Sequence, residues 1–148
     1  MNFKEKIVDK CKRFFKRALG RVHLPEELKQ TDEIILLHIS DTPESIYPYL
    51  FKLIDNLAPD LIIHTGDLVD NFKLDLGLSE KKYEKKVTKL IRDLEDYQNG
   101  KIYIIPGNHD SRQILEKHVQ NIIIQDEGSI IDIEGFEIGL AHFMKRLP

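Results

Sequence analysis

Three short tracts set metal-ligating side chains at the ends of apolar runs: His38-Ile39-Ser40-Asp41, His64-Thr65-Gly66-Asp67 and Pro106-Gly107-Asn108-His109-Asp110. Carboxylate, amide oxygen and imidazole are the donors that hold hard to borderline divalent cations such as manganese, iron or zinc. Cys11 is the sole cysteine, so the chain can build neither an internal disulfide framework nor a thiolate zinc site. Any metal must rest on His, Asp and Asn. Each tract also has a plain reading. Asp41 is placed to cap a following helix, and Gly66-Asp67 alone is an ordinary turn at a strand end. Gly107 to Asp110 is different, because a turn does not require an amide, an imidazole and a carboxylate in succession directly after a buried strand. Gly66 and Gly107 allow the backbone to turn sharply and approach a ligand closely.

The elements that must position these residues are legible in the hydrophobic pattern. From Ile34 onward, short apolar runs alternate with longer helical periods, the signature of βαβ units and a parallel sheet. Strands are expected at Ile34 to Ile39, Leu61 to His64, Lys101 to Ile105 and Asn121 to Ile124. A helix starts between Pro43 and Pro48, turns Ile46, Leu50, Leu53, Ile54 and Leu57 inward, and closes at Ala58-Pro59. Tyr83, Val87, Leu90, Ile91, Leu94 and Tyr97 trace a second helix that stops at Asn99-Gly100, and a short one runs from about Ser111 to His118. In an open α/β sheet, ligands gather at the carboxyl ends of the strands, which brings Asp41, Asp67, Asn108 and His109 together. The end changes character: Ile131 and Ile133, then Phe136, Ile138 and Leu140, alternate with polar residues about Gly135, an antiparallel hairpin. His142 shares the parity of its apolar face and emerges at the strand tip.

With 148 residues, 41% of them hydrophobic and 32% charged, the chain suffices for one compact domain and not for two. Its apolar runs fall far short of the roughly 18 residues of a membrane span, and the start lacks a secretory signal pattern, so the default location is cytoplasmic. The net charge of −3 is unevenly spread, since residues 1–21 carry +6 and leave −9 for the rest. An acidic body argues against a general nucleic-acid binder. Phe3, Ile7, Cys11, Phe14 and Ala18 recur at helical spacing, so residues 3–19 read as a basic amphipathic helix, with residues 21–32 as a linker and residues 33–148 as the main domain. The favoured reading lays this helix on the domain; the other is contact with a membrane surface or a partner.

On these motifs the chain resembles the calcineurin-like metallophosphoesterases, whose ordered signature is Asp-x-His, Gly-Asp, Gly-Asn-His-Asp or Glu, a strand-end His, and Gly-His-x-His. Asp41, Gly66-Asp67, Gly107 to Asp110 and His142 match the first four in order, over roughly residues 34–142. The resemblance implies an α/β/β/α sandwich and hydrolysis of a phosphate mono- or diester by a metal-activated water. It implies that Asp41 binds a first metal, that Asp67 bridges two, that Asn108 and His142 bind the second, that His109 donates a proton and that Asp110 orients His109. Two features depart from the pattern. Pro43 stands where the first motif has His, and no Gly-His-x-His follows His142, so the second sheet should carry only its first strands. A longer parent chain is the first expectation for what completes it, and a partner chain the second. The alternative function is a non-catalytic relative that binds a metal or phosphate as an interaction or regulatory module. His38 and His64 read as satisfied histidines near the site, His23 and His118 as surface residues, and the loop from Asp70 to Ser79 as a wall of the pocket.

Overall fold

The computed structural model describes residues 22, 24–29, 31–69 and 80–148; the helix expected over residues 3–19 and the loop from Asp70 to Ser79 lie outside these. Four parallel strands form the main sheet: β1 (Leu36–Ile39), β2 (Leu61–His64), β3 (Lys101–Ile104) and β4 (Ile123–Ile124), paired in the order β1-β2-β3-β4. The crossovers contain α1 (Tyr47–Leu57), α2 (Glu80–Glu95) and α3 (Arg112–His118). Consecutive strands that are also neighbours, joined by crossovers of one hand, put these three helices on the same face. The packing agrees. Ile39, Ile62, Ile102 and Ile104 meet Leu50 and Ile54 of α1, Val87, Leu90, Ile91 and Leu94 of α2, and Ile114 and Leu115 of α3 in one buried cluster.

The opposite face of the sheet is covered by the hairpin β5 (Ser129–Ile133) and β6 (Phe136–Leu140), which pair antiparallel with Ile131 opposite Ile138. Here Leu61, Ile63 and Ile105 pack against Ile131 and Leu140, with Tyr103, Ile133 and Ile138 at the margin. The alternation along β2 divides its side chains between the two cores, as a strand buried on both faces requires. The result is the expected mixed α/β architecture, with a parallel sheet and a small second sheet.

Sequence signals set the ends of the helices. Pro48 lies in the first turn of α1, where its missing N–H costs nothing, and Ala58 closes the helix in the left-handed conformation at φ 47°, donating to the Ile54 carbonyl at 2.8 Å. The Ser111 hydroxyl caps α3 by accepting from the Ile114 N–H at 3.4 Å. Several boundaries differ from the sequence expectation. β1 starts at Leu36, and Ile34 is 41% exposed. Ile46 is not an inward residue of α1 but an exposed one in the preceding 3-10 turn, Glu44–Ile46. Phe136, at the far end of β6, shares the parity of Leu140 yet is 75% exposed. Among the described residues no helix is long and apolar enough to cross a membrane.

Candidate metal centre

The loops that follow β1, β2 and β3 are bound to one another before any ligand is considered. Asp41 N–H donates to the Gly66 carbonyl at 3.1 Å and Thr42 N–H to the Asp67 carbonyl at 3.0 Å. Both Asp41 and Asp67 adopt the left-handed region, at φ 52° and 54°. Among L-residues with a Cβ, aspartate and asparagine tolerate this best, and such strain at the ends of adjacent strands is a pointer to function. Gly66, at φ 96°, lies against the Gly107 backbone, where a Cβ would collide with the Gly107 N and Cα; a Cβ on Gly107 would in turn strike the Asp67 carboxylate. The two glycines therefore let the β2 and β3 loops touch backbone to backbone.

The hairpin supplies the remaining piece. Its strand β6 ends at Leu140, buried against the main sheet, and two residues later the His142 ring reaches the Thr65 carbonyl with Nδ1 at 2.6 Å. A carbonyl can only accept, so Nδ1 carries a proton, and in the neutral ring Nε2 presents a lone pair. That lone pair faces Asn108 Oδ1 at 3.1 Å and Asp67 Oδ1 at 3.8 Å. One ligand atom each from Asp41, Asp67 and His142 lie within 4.8 Å of one another. Carboxylate, amide and imidazole acceptors thus converge on one point. Three groups that repel when nothing lies between them form a donor set that fits a hard to borderline divalent cation.

The other expected site residues take these places. His109 donates its backbone N–H to Asp67 Oδ1 at 3.2 Å, and its ring Nε2 meets Asn108 Nδ2 at 3.0 Å, so it borders the donor cluster. Asp110 lies beneath the cluster. Its Oδ2 accepts from the N–H groups of Asp67 at 2.7 Å and Gly107 at 2.9 Å, and its Oδ1 accepts from Leu68 N–H at 3.1 Å and the Tyr83 hydroxyl at 3.0 Å. Burial raises its carboxyl above the usual range, while the donors from Gly107, Tyr83 and Leu68 oppose that rise. At the departure in the first motif, the side chain before Pro43 turns away from the site: the Thr42 hydroxyl is buried, donates to the Leu68 carbonyl at 2.9 Å and accepts from His64 Nε2 at 2.9 Å.

His64 is thereby a satisfied core histidine. Gly66 N–H donates to its Nδ1 at 3.2 Å, which fixes the tautomer with the proton on Nε2. Burial, reinforced by the neighbouring His38, pushes its pKa down to about 3. His38 Nε2 pairs with the Thr65 hydroxyl at 2.9 Å. His118 is half-buried and shares Glu84 Oε1 with Lys117, joining α3 to α2.

Sequence reasoning missed the supports of the site. Thr65 acts through its carbonyl, which no side-chain pattern reveals. Tyr83 reads as an apolar position and Tyr47 carries no signal of its own, yet the Tyr47 hydroxyl donates to the Leu68 carbonyl at 2.6 Å and the Tyr83 hydroxyl to Asp110. For Tyr83 the signal was tyrosine in place of phenylalanine, since a buried hydroxyl needs a partner. A family model described as calcineurin-like phosphoesterase matches residues 34–143, a span that contains all of these groups. No curated protein matches the chain.

Proposed function

The chain belongs to the calcineurin-like phosphoesterase family, and on that premise we propose that it hydrolyses a phosphate mono- or diester with a divalent cation held by Asp41, Asp67, Asn108 and His142. The observation that carries this reading is the meeting of His142 Nε2 with Asn108 Oδ1 and Asp67 Oδ1. A bound divalent cation supplies Lewis-acid charge, which polarises a phosphoryl oxygen and makes a water more acidic. The protein's own contribution is placement. His142 is aimed by the Thr65 carbonyl, Asp67 by Asp110 and the His109 N–H, and Asn108 lies between the two histidine rings. The His109 ring, at the border of the donor cluster, is the group that gives a proton to the leaving oxygen. Manganese, iron and zinc all suit these donors.

The test combines the metal content of the purified chain with hydrolysis of an aryl phosphate monoester and diester in added manganese. Turnover by the wild type, abolished in Asp67→Ala and lowered by about 100-fold or more in His109→Ala, is the expected result. Equal rates in all three proteins would remove the assignment, and bound metal without turnover would favour a non-catalytic binder.

A further inference from the structure

We propose that Tyr83 is a positioning residue of the metal centre, holding the Asp67 ligand in place through the carboxylate of Asp110; the inference rests on the metal-binding reading above. Tyr83 lies on α2 with no exposure, at a position where phenylalanine would fill the same space. Its hydroxyl has two partners, donating to Asp110 Oδ1 at 3.0 Å and accepting from Ser111 N–H at 3.3 Å. The carboxylate it fixes binds the N–H groups of Asp67 and Leu68 together, one on each oxygen.

That pair of bonds spans the residue whose backbone is left-handed at φ 54°. A strained conformation persists only where its surroundings over-determine it, and ligand atoms must be held to roughly 0.5 Å for a productive site. Without the Tyr83 hydroxyl, Oδ2 still accepts from Asp67 and Gly107, but Oδ1 keeps only the longer bond from Leu68 N–H, so the carboxylate holds the peptide after Asp67 less firmly. Asp67 then loses definition at the peptide that aims its side chain. The fold itself does not require this hydroxyl, because the ring remains within the core formed by Val87, Leu90 and Leu115.

A second tyrosine provides the control. Tyr97 also donates its hydroxyl to a single acceptor, the Pro59 carbonyl at 2.5 Å, but just beyond α2, away from the ligands and beside the start of β2. Tyr83→Phe deletes the bonds to Asp110 and Ser111, Tyr97→Phe the bond to Pro59, and both keep the ring. In metal-free protein titrated with manganese by calorimetry, Tyr83→Phe should weaken binding by roughly tenfold, the lower end of the range for groups that orient ligands. Tyr97→Phe should leave it unchanged, although both lower the melting temperature. The Asp67 amide should also exchange its hydrogen faster in metal-free Tyr83→Phe than in Tyr97→Phe. Manganese affinity equal to wild type in Tyr83→Phe would overturn the proposal, as would equal weakening in both variants, which marks a structural effect alone. A wild type that binds no manganese would overturn the metal-binding reading and this inference with it, and is distinguished by needing no variant at all.

Discussion

Neutral His142 that keeps the Thr65 carbonyl has its only proton on Nδ1, so Nε2 is then an acceptor turned toward Asn108 and Asp67. His64, three residues before Asp67, is committed in the other direction. Its two nitrogens are matched to one donor and one acceptor, and protonation would put a second proton against the Gly66 N–H. With a folded pKa of about 3 against an ordinary 6.5, the unfolded chain binds the proton more readily throughout that window. Stability supplied by neutral His64 is therefore present above about pH 6.5 and lost as the pH falls toward 3, by up to about 1.4 kcal/mol per pH unit. Asp110 acts in the opposite sense, because a raised carboxyl pKa favours the folded state as acid is added. The His64 contribution is thus the difference between wild type and His64→Gln. Denaturant titrations at several pH values should show the variant losing less stability on acidification, and parallel profiles would contradict the assignment.

At the level of elements, the close approach of the β2 and β3 loops depends on two missing side chains. Gly66→Ala would push a methyl group into the Gly107 backbone in a conformation that L-residues rarely adopt, with an expected cost of about 1–3 kcal/mol and a loss of metal affinity. Chemical denaturation and metal titration of the variant measure both; an unchanged midpoint would mean that the loops have slack. The placement of Asp41, Asp67 and Asn108 at successive strand ends could be read from the sequence because it follows from the alternation of apolar runs and helices, a pattern that survives small errors of boundary. Details set by tertiary geometry could not. Ile34, Ile46 and Phe136 are apolar and fit the local period, yet each is exposed, because a local period does not reveal which positions a neighbouring layer covers. Likewise two of the four bonds to the Asp110 carboxylate come from residues more than forty positions away, Asp67 and Leu68. Only the nearness of Gly107 and Asp110 lay within a local motif.

Among the described residues of the whole molecule, two cores serve different ends. The helix-side core holds the sheet together, whereas the smaller core beneath the hairpin determines where His142 arrives. Leu140→Ala and Ile54→Ala remove similar buried volume and should each destabilise by about 2–5 kcal/mol. Only Leu140→Ala, two residues before His142, should also weaken manganese binding under conditions where both proteins remain folded; calorimetry that finds equal affinities would separate the hairpin from the site. The ligands also lie far apart along the chain, from Asp41 to His142. A transition state for folding that has not yet docked the hairpin offers no complete set of donors, so manganese added to refolding protein should leave the folding rate nearly unchanged and slow unfolding instead. The cation would then act as a latch closed by the last element to arrive, lengthening the life of the native state without hastening its formation.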